Sequence, residues 1–587
     1  MELIQWKLEN IYKSPDDEKL INDIEKYSKK LEEINAFCKE KLIPSAEPVE
    51  VISEYIQLVN EALLYNKISA YLNFILSVDS GNKQAAKLFD RVCAVAASSA
   101  SSEGLFGEYL KGIDIDSLEK NRVISEHLNF LKTEKAKASH SLGAKGEELA
   151  AKLKTTGSKA WEKLWESLTS GLTCDVEGEN IPLAETRSMA YNADGNLRKK
   201  AYEAELKAYE KIAEEGNACL NAIKGEVINE TGLRGYSSPL EKSAFDAGID
   251  LDILKAMFKA VDDNIDGLNK FYKIKADYLG KDKLPFYDLF APVGKSELKF
   301  TFEEASEFVK ETYSGFSEKM GKFAEKVLDS RWVDPFPHKG KVGGAYCEYI
   351  KDIEESRIMM NFSGNFEDII TLSHEMGHGY QNETMKGETP INSDYPMTLA
   401  ETASTFCENL AFARGEKILK GSELLTVKES RLSGELQSII DIYSRFLFED
   451  SFFEERKKGS LSLEETCDLM IKAQKKAYAG GLDENILHPY MWLCKPHYYD
   501  SGFNYYNYPY AFGDLFARSL FAMYEDMGQE FIPLYDKILS SAGRLSVEEV
   551  GRLAGIDFKD KAFWEKGIKS ILKDIDELEE LIKEEVQ

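Results

Sequence analysis

Through most of the chain, apolar residues recur three and four positions apart, the spacing that lines one face of a helix. LAAKLKTTGSKAWEKLWESL at 149–168 and FWEKGIKSILKDIDELEELIKEEV at 563–586 are two examples. The pattern predicts a mainly α protein. Proline is scarce, 15 in 587 residues, and where it gathers, around 285–296, 334–337 and 489–509, the helices are expected to break. One segment reads differently. KVGGAYCEYIKDIEESRIMMNF at 341–362 places aromatic and branched residues (Tyr346, Tyr349, Ile358, Phe362) on either side of a charged stretch, which predicts two strands and a turn. Helical spacing returns in SGNFEDIITLSHEMGHGYQNET at 363–384, with Asn365 as N-cap, Glu367 and Asp368 in the first turn, and Ile369, Ile370 and Leu372 behind them. A small sheet therefore leads directly into a helix that carries HEMGH at 374–378.

At about 100° per residue, His374 and His378 lie within roughly 40° of each other, one turn apart, so both imidazoles reach one ion. Glu375 is too close to His374 in sequence to share that ion, but it is placed to reach a water bound there, the general-base position of zinc peptidases. Gly377 costs about 1 kcal/mol relative to alanine inside a helix, which points to a close packing contact. A catalytic zinc takes three protein ligands. The continuation that would supply a third histidine fails, because glycine and histidine are replaced by Gln381 and Thr384. After the break MKGETPINSDYP the chain resumes as MTLAETASTFCENLAFA, where Glu401 follows His378 by 23 residues and Glu408 lies two turns further along the same face. A second helix packed antiparallel brings Glu401 to the ion, completing a His374, His378, Glu401 set with one zinc per chain.

Composition narrows the partners. Lysine and arginine total 74 against 102 acidic residues, a net charge of −28 that repels phosphate backbones and anionic lipid, so neither nucleic acid nor membrane is expected as a partner. Nothing approaches the roughly 18 consecutive apolar residues of a membrane span. Eight cysteines without a C-x-x-C pair read as reduced thiols, and with no visible export signal the expected compartment is the cytoplasm. The histidines at 127, 140, 338 and 488 read as structural or exposed.

HEMGHGYQ, AETASTFCENL, KGKVGGAYCEY, MMNFSG and PHYYDSGFNYYNYPYAFG, in that set, resemble the oligoendopeptidase F group of the thimet oligopeptidase-like zinc metallopeptidases, and the similarity runs through most of the chain. The resemblance implies a two-lobed helical body with a deep central channel, a small β-sheet next to the zinc helix, an N-terminal helical region over 1–190 and a catalytic region over 191–587. It implies an endopeptidase acting on short oligopeptides. Carried over by position, His374, His378 and Glu401 bind zinc and Glu375 is the base. His497 and Tyr508 match the histidine and tyrosine that hold the substrate carbonyl and its oxyanion, with Tyr505 close by. Tyrosines at 498, 499, 505, 506, 508 and 510 crowd this stretch, so the match depends on register. The strand around Gly343, Gly344 and Ala345 is a candidate edge for pairing with an extended peptide. A carboxypeptidase-type trimming enzyme and a non-catalytic helical peptide binder are the alternatives. The second predicts a damaged ligand set, and the set is intact.

Overall fold

The computed structural model describes residues 5–294 and 298–586. It is mainly helical, as the spacing predicts, with five short strands among the described residues. Two compact units alternate along the chain. One comprises Met1–Ser141, Leu298–Arg414 and Met523–Ile556, the other Leu142–Glu297, Gly415–Ala522 and Asp557–Gln587. Neither unit is a continuous segment, and each is closed by chain stretches hundreds of residues apart.

In the first unit the helix Glu18–Lys41 shows how the pattern becomes structure. Asp17 caps it, and Leu20, Ile24, Leu31, Ile34 and Phe37 are its buried face. Two strands, β1 (Thr173–Val176) and β2 (Glu179–Pro182), form a hairpin in the second unit. The sheet of the first unit comprises β3 (Val333–Asp334), β4 (Tyr346–Ile350) and β5 (Glu355–Met359), in the order β3-β5-β4. β4 and β5 pair antiparallel, Tyr346 opposite Met359 and Ile350 opposite Glu355, around the charged turn that the sequence predicts. β3 pairs with β5 in parallel, Val333 opposite Ile358. Ile350 and Met359 pack with Trp6, Tyr71 and Phe74, so N-terminal helices anchor the sheet. This leaves β4 as an edge strand.

In the second unit, Trp165, Tyr209, Leu220, Phe448, Trp492 and Tyr499 share one core. The long apolar repeat at 149–168 is divided by Gly157 into helices Gly143–Thr156 and Ser158–Ser170. No helix among the described residues is long and apolar enough to cross a membrane.

Candidate metal centre

The helix Phe366–Thr384 begins as its sequence predicts. Asn365 Oδ1 accepts the Asp368 backbone N–H at 3.0 Å, and Asp368 Oδ2 accepts the N–H groups of Asn365, Gly364 and Ser363 at 3.1, 2.7 and 2.7 Å. This reciprocal cap satisfies helix N-terminal donors and fixes where the helix starts, hence where each following side chain points. His374 and His378 come out on one face, their Nε2 atoms 3.2 Å apart. Glu401 Oε2 lies 3.4 Å from each. Four ligands on a tetrahedral ion with bonds of about 2.0–2.1 Å are spaced about 3.3–3.4 Å apart, so the three atoms already occupy three corners of such a site. Among the described residues the ligand atoms of His374, His378 and Glu401 form one of two clusters able to hold a metal. The other, Glu416, Asp574 and Glu577, is filled by cations: Lys428 Nζ lies 2.5 Å from Glu577, and Arg431 Nη1 2.9 Å from Glu416.

Glu401 does not sit inside the second helix. It occupies the turn between Met397–Ala400 and the helix Thr402–Ile418, and its carbonyl accepts the Thr405 N–H at 3.0 Å. Ser404 Oγ donates to Glu401 Oε2 at 2.8 Å and holds the carboxylate in place. The two helices meet at Gly377. A Cβ there would stand 2.7 Å from Ser404 Cα and 2.8 Å from the Ala403 carbonyl oxygen, so the close packing inferred from the glycine is present. Ser373 Oγ donates to the Cys407 carbonyl at 2.9 Å across the same interface.

Glu408 supplies what the sequence reading left without a role. Its Oε1 is 2.5 Å from His374 Nδ1, which fixes the tautomer and turns Nε2 toward His378 and Glu401. Without a metal, burial disfavours charge on His374, but the Glu408 hydrogen bond and charge outweigh it and raise the imidazole to about 9. Burial opposes charge on Glu401 too, and the hydrogen bond and charge of His378 pull it down to about 2. Glu375 is 5% exposed, its Oε2 lacks a hydrogen-bond partner, and burial raises its carboxyl against the pull of the two histidines. A buried carboxylate oxygen without a donor, beside three convergent ligand atoms, fits a metal and its water.

A cavity of about 640 Å³ in the first unit is lined by His374, Glu375, His378 and Glu401, and by Ala345 through Tyr349. The outer edge of β4, whose Tyr349 carbonyl accepts from Asn66 Nδ2 at 3.0 Å, therefore lines the same cavity as the metal centre. Gly344, at φ +85°, turns the chain into that edge, and Asn361 Nδ2 secures it by donating to the carbonyls of Val342 and Gly344 at 3.0 and 2.9 Å. A Cβ on Gly343 or Gly344 would meet nothing within 4 Å.

In the second unit the tyrosine-rich stretch sorts by burial. Tyr508 is 1% exposed with its hydroxyl 3.3 Å from Ser243 Oγ. Tyr505 is 4% exposed, takes φ +54°, and donates its hydroxyl to Asp450 at 3.0 Å and its N–H to Glu449 at 2.9 Å. Both hydroxyls are buried within the unit: Tyr505 donates to Asp450, while Tyr508 accepts from Ser243 Oγ. Tyr506 is exposed, Tyr510 half-buried, and their hydroxyls are 2.9 Å apart. His497 stacks on the Tyr506 ring, centroids 5.7 Å apart, with its Nε2 buried and without a hydrogen-bond partner.

The chain matches the model of peptidase family M3 over residues 188–570. It is 24% identical to Oligopeptidase PepF of Bacillus subtilis, over 98% of this chain and 87% of that protein. It is 26% identical to the chromosomal Oligoendopeptidase F of Lactococcus lactis subsp. cremoris, over 70% of this chain and 68% of that one. Among solved structures, one from Chlamydophila abortus superposes with a TM-score of 0.84 at 20% identity, covering 98% of both chains. The oligoendopeptidase-F of Enterococcus faecium gives 0.68 at 19% identity, covering 96% of this chain and 99% of that one. At these identities the structures speak to the fold.

Proposed function

The chain belongs to peptidase family M3, and from that premise we propose that it is a zinc-dependent endopeptidase hydrolysing short, unstructured oligopeptides. It is a metalloendopeptidase of the oligoendopeptidase F kind. The observation that carries the zinc reading is the 3.2–3.4 Å triangle of His374 Nε2, His378 Nε2 and Glu401 Oε2, with the Glu375 carboxylate beside it. These three residues would hold the zinc, which when bound acidifies a water and polarises the scissile carbonyl.

The rest is done by the chain's own groups. Glu375 accepts the proton of the attacking water on its unpartnered Oε2 and returns it to the leaving amine, and its burial keeps it a stronger base than an ordinary surface carboxylate. Glu408 holds the His374 ring and Ser404 the Glu401 carboxylate, so neither has to reorient during turnover. The substrate backbone pairs with the edge from Gly343, Gly344 and Ala345 into β4, which gives binding that is broad in sequence. A phenol of the 505–510 stretch, with His497, takes the oxyanion, and accessibility favours Tyr510 or Tyr506 over Tyr508. All eight cysteines are free thiols, which supports a reducing, cytoplasmic setting.

The test is mass spectrometry of an end-blocked peptide mixture incubated with and without a strong chelator. Internal cleavage that stops on chelation and returns with zinc is the expected result. Products arising only from free C-termini would make the enzyme a trimming carboxypeptidase, and chelator-indifferent cleavage would remove the metal from the reaction.

A further inference from the structure

The second unit contains a cavity of about 330 Å³ that the peptidase reading does not use. Its aromatic wall includes Tyr191 stacked on Phe290, centroids 4.9 Å apart, and Tyr202 beside Tyr287 at 5.7 Å. Its acids are already taken. Glu205 is paired with Arg187, and Asp441 with Arg445. Asp288, behind Arg198, is held by that arginine at 2.8 Å and also by Lys281.

Three donors remain. Lys495 lines the cavity and has no acid within ion-pair distance among the described residues. Arg187 spends Nη1 on Glu205 and the Tyr209 hydroxyl, and among the described residues its Nε and Nη2 meet no acceptor. His488, 1% exposed, has its Nε2 3.5 Å from Glu205 and no hydrogen-bond partner for Nδ1. Burial pushes the Lys495 ammonium below the ordinary lysine range, and the more distant attraction of Cys494 and Asp441 does not offset it. In a chain of net charge −28, a cavity whose one cation without an ion pair among the described residues is a lysine is the reverse of what composition alone would place there. An anion supplied from outside removes the mismatch, and a volume at the low end of small-molecule sites limits it to about one amino-acid-sized group.

We propose that this cavity binds the free carboxylate of an aromatic amino acid, or of a peptide ending in one, with Lys495 and Arg187 on the carboxylate and the Tyr191, Phe290 and Tyr202 rings around the side chain. The proposal rests on the peptidase reading in one respect: hydrolysis of a peptide bond creates one new C-terminal carboxylate per turnover, so the enzyme generates ligands of this chemistry.

The test measures binding and not turnover, so its outcome is separable from that of the peptidase reading. Metal-loaded protein is titrated by calorimetry with N-acetyl-phenylalanine, N-acetyl-phenylalaninamide and N-acetyl-glycine. The aromatic acid should bind, and the amide and the glycine acid should each bind at least about tenfold more weakly, since a hydrogen bond to a charged group or a buried ring is worth that much. Lys495→Met should weaken the aromatic acid by about tenfold or more, with Lys495→Arg within a few-fold of the parent. Glu375→Gln should bind like the parent, because the cavity is not the reaction centre. Should Lys495→Met fail to fold, Tyr191→Ala, at an exposed position, tests the aromatic wall in its place and should also weaken the acid. Equal binding of acid and amide, or parent-like binding by Lys495→Met, would overturn the proposal by assigning the carboxylate to the metal or to no fixed site.

Discussion

Placing a methyl group at Gly377 is expected to pull the metal centre apart without touching a ligand. The added Cβ would lie 2.7 Å from Ser404 Cα, 2.8 Å from the Ala403 carbonyl oxygen and 3.1 Å from Ala403 carbonyl carbon. All three are backbone atoms at the start of the helix that follows Glu401, so no rotamer change relieves the contact. Reaching an ordinary separation of 3.4 Å requires a local shift of about 0.7 Å. Transmitted to Glu401, that shift stretches its 3.4 Å spacing from each histidine toward about 4 Å, beyond what ligands on one tetrahedral ion span. Alanine gains about 1 kcal/mol of helix propensity, while overpacking costs about 1–3 kcal/mol, so the variant should be modestly less stable as well. A loss of about 10- to 100-fold in zinc affinity is expected, the size typical of a displaced metal-site support. Competition against a chromophoric chelator reads the affinity, and thermal unfolding with and without metal reads the stability. Gly379→Ala is the control: its Cβ would meet the Phe323 ring tip at 2.9 Å, a side-chain end that can turn away. If Gly377→Ala binds zinc like the parent and unfolds at a higher temperature, propensity has won and the close approach does not hold the centre together.

Other perturbations separate the remaining roles. Glu375→Gln should retain metal while turnover falls by about 10⁴-fold, near the upper end for a general base, and loss of metal on mass analysis would make Glu375 a ligand. Glu408→Ala frees His374 Nδ1 and should cost about 10- to 100-fold in metal affinity, whereas unchanged affinity would show that the 2.5 Å contact does not orient the ring. Tyr510→Phe should lower kcat by about 10²- to 10³-fold, and Tyr508→Phe, which loses only a hydrogen bond to Ser243, should leave kcat near the parent and cost stability of about 1 kcal/mol; the reverse result would restore Tyr508 as the donor. Burial, assisted by the cations Arg445, Lys224 and Lys495, depresses His497 to about 3. Its folded value thus lies below the unfolded one near 6.5, so the unfolded chain takes up a proton that the folded chain refuses, and stability falls as pH drops from about 6.5 toward 3. Urea midpoints across pH 4–6.5 should show that slope reduced in His497→Asn, and identical slopes would refute it.

The metal centre was legible because its signals are local. A cap at Asn365, an acidic first turn, two histidines four apart and a glycine with no local reason to be there depend on residues within one helix, and the structure places each as the spacing predicts. Glu401 came from its position after a break of known length, and the error of placing it within the helix and not at the turn before it is the ordinary uncertainty of a helix boundary. The division into units was illegible for the opposite reason. Compactness is decided by which distant segments pack together, and each unit is assembled from three separate stretches of chain.

The tyrosine stretch marks where local reading ends. Tyr505, Tyr506, Tyr508 and Tyr510 alternate with little to distinguish them, and any could present a phenol to a substrate. What separates them lies elsewhere in the chain. Asp450 takes the Tyr505 hydroxyl and Glu449 its N–H, while Ser243 meets Tyr508. Glu449 is in turn held by Lys224 at 2.6 Å, in an ion pair that is almost fully buried. Partners 55 to 265 residues away bury Tyr505 and Tyr508, and exposure, which the local sequence does not carry, makes Tyr506 and Tyr510 the more accessible pair. His488 follows the same logic. Glu484 is four residues before it, yet the acid that stands 3.5 Å from its ring is Glu205, far earlier in the chain, and the cavity they line was invisible until the chain brought them together.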